Sequence, residues 1–524
     1  MKAFRANSER PRKQGQPNSP SSHESPGGSV GNGSWNGTDT SEIDRLSFAI
    51  RAHRFRFTAT IMQRNAIPLA AEYAVRLVHA VPDLATEDIA AFFGFGSAEA
   101  EILVQDMLAT GLVSEREGRF SLSSRGIAAV SDDDVELFET EELAVTQAFE
   151  LIAFTPVDDN ELTGVFGRIV PEIAIPDRER AANATEGARD AFDLHFRELA
   201  QRHSRRRRPE DIRLHLVEDV HFMRAFGAHF ELPIRYRQDD ASIGALGVDP
   251  DFSSLRHRGR VSSRDPVIAA LSARVQSLQA PADFDDALSR TASIDGGILT
   301  RSDLKSSEGQ AAWAQSCTDK SARQLEGEQG PGMRVMGSVA ATAIGSALLR
   351  TAPSAEQERL DVPTPVLWLP PGAGYWGRSV AFANIARELS AADPDGTVLL
   401  ARTSDTQQSW KNWRTLYGPR HDQPGLFDRS LAVQTDLPNA LEVVMKPGAW
   451  ALVLVHVPVA QGTYPIPFGY LTTSPRLVSR WRDALAEVAI TADGSKSILW
   501  CDKSETAADA LAVIDLALGI GAAT

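Results

Sequence analysis

Apolar positions recur at helical spacing through Pro68–His79, and the pattern then changes every few residues. Glu87–Phe93 (EDIAAFF) predicts a short second helix, with Thr86 as its cap and Glu87 and Asp88 in the first turn. Gly94-Phe95-Gly96 is a turn, and Ser97 caps a third helix. In that helix Ala100, Leu103, Val104, Met107 and Leu108 share one face. Gly111 supplies the left-handed residue that ends it. Leu112-Val113, a charged turn at Glu115–Gly118 and Phe120-Ser121-Leu122 predict a β-hairpin, and Ser123 can cap a fourth helix.

Elsewhere the pattern divides the chain. Residues 1–44 are rich in Ser, Gly, Pro and Asn and cannot bury enough apolar surface to order, so a disordered tail is expected. Residues 45–64 bring in aromatics and arginines and begin the folded part, giving a first domain over 45–135. A middle α+β domain, 136–275, has strand signals at Glu150–Pro156 and His229–Arg237 and helical signals at Arg189–Gln201 and Asp219–Gly227. Residues 276–355 read as a helical or irregular connector, with an amphipathic helix at Met333–Arg350. Over 356–524, strands at Val366–Leu369, Thr397–Ala401, Ala451–His456 and Ser497–Cys501 alternate with helices at Ser379–Ala391, Pro475–Ala489 and Ala507–Leu518. That alternation predicts an α/β domain with a mostly parallel sheet. The fold class is therefore multi-domain α+β with an α/β C-terminal part.

The order of signals over 66–130 is that of a winged helix-turn-helix, and TGLVSEREGRFSLSSRG resembles the wing and following helix of bacterial winged-helix repressors of the multiple-antibiotic-resistance type. The resemblance implies contact with double-stranded DNA. The third helix, however, offers Glu99, Glu101, Gln105 and Asp106 and no Arg or Lys for bases or phosphates. Residues 41–130 hold 9 basic against 11 acidic side chains, and the whole chain carries −15. The positive candidates for nucleic-acid contact are Arg116, Arg119 and Arg125 at the wing and Arg51, Arg54 and Arg56, with His53, in the arm before it. Protein docking stays open beside DNA contact.

Two features of the C-terminal part carry candidate chemistry. Leu367-Trp368-Leu369 runs into Pro370-Pro371-Gly372-Ala373-Gly374-Tyr375-Trp376-Gly377, a G-x-G-x-x-G between strand and helix. Gly372, Gly374 and Gly377 would then be cofactor-binding positions, their N–H groups approaching a phosphate at a helix N-terminus. Arg402 stands where the ribose-binding acid would be expected, and close packing of strand on helix explains the glycines equally; no cofactor is assigned. Ala449–Pro475 resembles the second half of phospholipase D-like domains, in which a strand carries His-x-Lys. Here His456 is followed by Val457-Pro458, which implies a degenerate site, or a buried histidine satisfied by a local hydrogen bond.

The remaining candidates are His195, His203, His215, His221 and His229, whose spacing matches no zinc pattern; Arg205–Arg208, a solvated loop or phosphate patch; Trp410–Arg414 (WKNWR), a stacking platform or a packed surface; and the acidic runs Asp132–Asp134 and Glu139–Glu142, expected on an exposed helix. Two distant cysteines, Cys317 and Cys501, and the lack of a spanning segment or secretory leader favour a cytoplasmic, reducing compartment. No complete catalytic motif is present. The leading expectation is a non-enzymatic prokaryotic regulatory or assembly protein, of transcription control or antiphage defence, touching DNA weakly through wing and arm. The alternatives are an enzyme with a nucleotide-binding or degenerate phospholipase D-like domain, and a scaffold that docks protein through the winged helix.

Overall fold

The structure, a computed structural model, describes residues 40–520 except 66, 131–134, 136, 159, 204–211, 238–246, 254–264, 301, 320–321, 326–329, 352–362, 404–406, 422, 460–463, 491 and 493. The tail expected over 1–44, the Asp132–Asp134 run and the Arg205–Arg208 run lie outside them, apart from residues 40–44, which are strand.

The first strand, β1 (Thr40–Asn65), is 26 residues long, about 85 Å at the usual rise per residue. A compact insertion follows: α1 (Leu69–Ala80), β2 (Leu84–Ala85), α2 (Thr86–Phe93), α3 (Ser97–Ala109), β3 (Val113–Arg116), β4 (Arg119–Leu122) and α4 (Ser124–Ala129). The chain then returns along β1 as β5 (Leu137–Glu150), in register from Asn65↔Leu137 to Ala52↔Glu150. The insertion therefore takes the place of the turn of a long hairpin, at its Asn65/Leu137 end. Next come β6 (Pro156–Val157), α5 (Gly164–Ile169), β7 (Glu172–Ile173), α6 (Arg178–Ala182), α7 (Ala184–His203), the 26-residue β8 (Ile212–Arg237) and β9 (Gly247–Pro250). The sheet order is β6-β5-β1-β8-β9, with β7 parallel to β1.

After these follow α8 (Asp265–Gln276), α9 (Phe284–Asp295), α10 (Ser307–Thr318), β10 (Gly332–Met336), α11 (Thr342–Thr351), β11 (Val366–Leu369), α12 (Val380–Ala392), β12 (Thr397–Arg402), α13 (Gln407–Tyr417), β13 (Arg429–Val433), β14 (Leu441–Lys446), β15 (Trp450–Pro458), β16 (Pro465–Thr472), α14 (Pro475–Ile490), β17 (Ile498–Trp500) and α15 (Ala507–Leu518). Their eight-stranded sheet runs β10-β16-β15-β14-β11-β12-β13-β17. Alternate residues enter opposite cores, as strand geometry requires. Leu367, Leu369, Val443, Met445, Val453 and Val455 face α14, the start of β1 and the end of β8, whereas Val366, Trp368, Val444, Leu452 and Leu454 face α11 and α12. The first of these cores draws on residues from Ile43 to Leu518, so segments expected as separate domains share one interior.

Several expectations need correction. The C-terminal sheet is mixed: only β11/β12 and β12/β13 pair in parallel. Strands β14, β15 and β16 follow one another through short connections, which can join antiparallel neighbours only. Asp219–Gly227 is part of β8, not a helix, and Glu139–Glu142 is part of β5. Glu150–Pro156 is mainly a turn, built on the buried Glu150 carboxylate. That carboxylate accepts from the N–H groups of Ile152, Ala153 and Thr155 and from the Thr155 hydroxyl. Met333–Arg350 divides into β10 and α11 around Gly337, whose φ of 120° and contact with the Ile43 backbone exclude a side chain.

The tip module has three helices, a hairpin and a fourth helix in the order expected, and adds the unexpected strand β2, so that β2-β4-β3 forms a small antiparallel sheet. Its core is its own: Ala71, Ala74, Val75, Val78, Ile89, Leu103, Val104, Met107, Leu112 and Phe120. Helices α2 and α3 begin one residue before Glu87 and at Ser97 itself, so Ala85 and Gly96, not Thr86 and Ser97, are the caps. The N–H groups of Ala85 and Gly96 are held by the Asp88 and Glu99 carboxylates, the carboxylate half of a capping box. Glu117 and Gly118 both have positive φ, the two-residue turn that matches strand twist.

Candidate functional site

The strongest candidate for chemistry is the polar centre under the glycine loop. Trp368 of β11, Glu442 of β14 and His456 of β15 lie within one sheet, and the loop after β11 folds back over them. Glu442 Oε1 accepts from Trp368 Nε1 at 2.9 Å and from Trp376 Nε1 at 2.8 Å. Glu442 Oε2 is 2.8 Å from His456 Nε2, and His456 Nδ1 is 3.0 Å from the Tyr375 hydroxyl. Burial, together with the nearby Asp44 and Glu442 charges, pushes the Tyr375 phenol well above its ordinary range, so it stays a donor. With Tyr375 donating to Nδ1 and Nε2–H donating to Glu442, the Glu442 carboxylate, the His456 ring and the indoles of Trp368 and Trp376 all have partners.

A second buried group adjoins it. Asp44 of β1 accepts from Ser338 Oγ at 2.5 Å, from the Arg45 N–H at 2.8 Å and from the Tyr464 hydroxyl at 3.1 Å. Burial nevertheless raises its carboxyl above the usual carboxylate range. Between the two groups lies a cavity of about 40 Å³ lined by Asp44, Ser338, Tyr375, Arg378 and His456, among others. It has room for a few waters and for no nucleotide.

The glycine loop faces protein, not an open cradle. Gly372 N–H donates to the Asn439 carbonyl, and a Cβ there would lie 2.2 Å from Asn439 Oδ1. Gly377 has φ of 68°, and a Cβ would meet the Tyr417 hydroxyl at 2.9 Å. Gly374 has open space around it. At the start of α12, where a phosphate would sit, Val380 N–H donates to Ser47 Oγ and Phe382 N–H to Ser379 Oγ. Arg402 clamps the same loop by donating to the carbonyls of Pro370, Leu437, Pro438 and Leu441, and burial lowers its pKa to about 10. Packing of strand, loop and helix thereby accounts for Gly372 and Gly377, whereas Gly374 faces open space. His456 is 2% exposed, both ring nitrogens are engaged, and Val457 and Pro458 stand where a lysine would follow; neither nitrogen is available to attack phosphorus.

The six arginines expected to contact nucleic acid do not gather. Arg116 and Arg119 face each other across the β3/β4 hairpin, and Arg119 is tied to the Asp83 carbonyl. Arg125, on α4, is 3.8 Å from Glu139. Arg56 and Arg51 lie 9 and 14 residues down β1 from its tip-side end at Asn65, about 30 and 45 Å along the strand. Arg51 pairs with Glu172, and Arg54 is interaction-bound as well. The aromatics of Trp410–Arg414 turn inward, Trp413 donating to the Arg402 carbonyl, so they are no stacking platform. His195 and His203 belong to α7 and His215, His221 and His229 to β8; among the described residues no three possible metal ligands converge. Burial raises Cys317 to about 12.

The outward face of the tip module is the other candidate. On α3 the exposed residues include Glu99, Glu101, Ile102, Gln105 and Asp106, with Glu99 engaged as a cap. Residues 66–130 hold four arginines against nine carboxylates. Among the described residues, six of the twelve exposed large apolar side chains lie there: Leu69, Tyr73, Val81, Phe92, Ile102 and Ile127. Glu442, Asp44 and Tyr375 went unread in the sequence; the available signal was a carboxylate inside an apolar strand (LEVVMK), which must find donors when buried.

No family model matches the chain, and no curated protein and no solved structure matches it either. Among the described residues no helix is long and apolar enough to cross a membrane.

Proposed function

We propose that the chain is a non-enzymatic assembly or regulatory protein whose residues 69–129 form a winged helix-turn-helix that docks a protein partner bearing basic and apolar groups. The observation that carries this reading is the outward face of α3. It bears Glu101 and Asp106 around an Ile102 that is 62% exposed, and no cation. Phosphates would be repelled there, and the cations that could offset this are split between the wing and distant positions on β1. The long hairpin would hold the module away from the main body, which suits a docking head. The C-terminal sheet is the scaffold in this reading, a degenerate relative of phospholipase D-like domains in which the histidine braces the core. Two cysteines without a disulfide fit a reducing compartment such as the cytoplasm.

The test is an anisotropy titration of the full chain against a mixed-sequence duplex at about 50 and 200 mM salt. Weak binding at the lower salt and none at the higher is expected. Tight, sequence-selective binding at the higher salt would sink the protein-docking reading.

A further inference from the structure

This inference rests on the docking reading above and names the partner. The outward face of α3 presents Glu101, Ile102, Gln105 and Asp106 together, as their helical spacing requires. Ile102 is 62% exposed, and among the described residues neither Glu101 nor Asp106 enters an ion pair or a side-chain hydrogen bond. The module's own arginines are committed elsewhere. Arg76 pairs with Glu72, Arg119 holds the Asp83 carbonyl, Arg125 lies beside Glu139, and Arg116 stands opposite Arg119 on the hairpin. The face is therefore an apolar centre between two unpaired carboxylates.

The chain itself holds a complementary segment. Residues 2–13, outside the described residues, read KAFRANSERPRK: Lys2, Arg5, Arg10, Arg12 and Lys13 against Glu9 alone, with Phe4 set between Lys2 and Arg5. Exposed ion pairs are worth little singly, so several cations and an apolar contact must act together, and this segment supplies both. Reach decides which copy it comes from. Residues 14–39 number 26 and span at most about 90 Å, whereas β1 alone runs about 85 Å from Thr40 to the start of the insertion. Within one copy the segment would reach α3 only with those residues straight along the whole of β1, so the source is a second copy. We infer that the α3 face of one copy binds residues 2–13 of another, with Phe4 against Ile102 and the flanking cations toward Glu101 and Asp106. The two surfaces differ, so the contact joins copies head to tail, in a closed ring or an open chain.

The test uses two forms of the chain. One lacks residues 2–13 and carries a benzophenone amino acid at Ile102; the other is intact and tagged. The two are mixed and irradiated. Expected is an adduct between them, mapped by mass spectrometry to residues 2–13 of the tagged copy. Its yield should fall at least tenfold when Glu101→Lys and Asp106→Lys are added to the first form, or Lys2→Ala, Phe4→Ala and Arg5→Ala to the second. Glu101 and Asp106 are exposed, and a thermal melt verifies that the reversed form is folded. Three outcomes would overturn the inference: an adduct mapped to any other segment, Arg205–Arg208 included; an adduct indifferent to both sets of substitutions; or, with the benzophenone in the intact chain, a link to residues 2–13 of the same copy. No adduct between copies, while position 102 still captures a different protein in the native host, overturns this inference and leaves the docking reading standing. Absence of both adducts overturns the two together.

Discussion

Replacing Glu442 by alanine strips one acceptor group from three buried donors: Trp368 Nε1, Trp376 Nε1 and His456 Nε2. Glu442 and His456 are each 2% exposed, so water does not readily take the carboxylate's place. Each stranded donor costs about 1–3 kcal/mol, so losing the acceptor shared by three of them costs on the order of 3 kcal/mol or more. Glu442→Gln is the sharper variant. Its amide oxygen can still accept from both indoles, but its NH2 faces His456 Nε2, which must then accept. The imidazole proton moves to Nδ1, the Tyr375 hydroxyl turns its hydrogen elsewhere, and the loss falls to about 1–2 kcal/mol. The assay is urea unfolding followed by intrinsic tryptophan fluorescence, since Trp368 and Trp376 report on the site itself. The midpoint should fall clearly for alanine and modestly for glutamine, with unchanged m. Equal midpoints for both variants, or a wild-type midpoint for Glu442→Ala, would refute the assignment of this carboxylate as a shared acceptor.

Asp44 has a folded pKa above its unfolded value because it is buried. Between those values the native state holds more protons than the unfolded chain, so this group's contribution to stability falls as pH rises through the window and levels off above the folded pKa. Wild type minus Asp44→Asn, measured as urea midpoints from pH 4 upward, should show that decline; a flat difference would count against it. Gly469→Ala puts a Cβ 1.8 Å from the Val453 carbonyl in the β15/β16 ladder, which should cost about 3 kcal/mol or more because two paired backbones must part. A melting temperature within a degree of wild type would contradict that close approach.

Much of the main scaffold was legible because its strands are continuous apolar runs. VLWL, TVLLA and ALVLVH are buried on both faces and can hardly be anything else at that length. The helices after them carry clean amphipathic patterns. What escaped was hidden by irregularity. In β8 the register against β1 slips opposite Arg54/Phe55, Thr58/Ala59 and Thr60/Ile61, and each slip shifts the alternation by one, so EDVHFMRAFG loses its period of two. Strand β16 opens Pro-Ile-Pro, which reads as a breaker, and β14 has a glutamate as its second residue. Without those two strands the sheet reads as a run of crossovers, hence the mistaken parallel expectation. The glycine loop illustrates the limit for sites. Its spacing is visible in the sequence, but the Asn439, Tyr417 and Ser47 groups that fill it come from 40 to more than 300 residues away.

The central claim concerns what meets the tip module, and site-specific photo-crosslinking addresses it directly. A benzophenone amino acid is placed at Phe92 or Ile102, both exposed on the module, and at Ile490 on α14 as a control exposed to the same degree. Irradiation in the native host should give one protein adduct of discrete mass from positions 92 and 102 and none from 490. That adduct should disappear when Glu101→Lys and Asp106→Lys reverse the charge of the α3 face. Adducts to DNA at 92 or 102, or a protein adduct indifferent to the charge reversal, would contradict protein docking through this face.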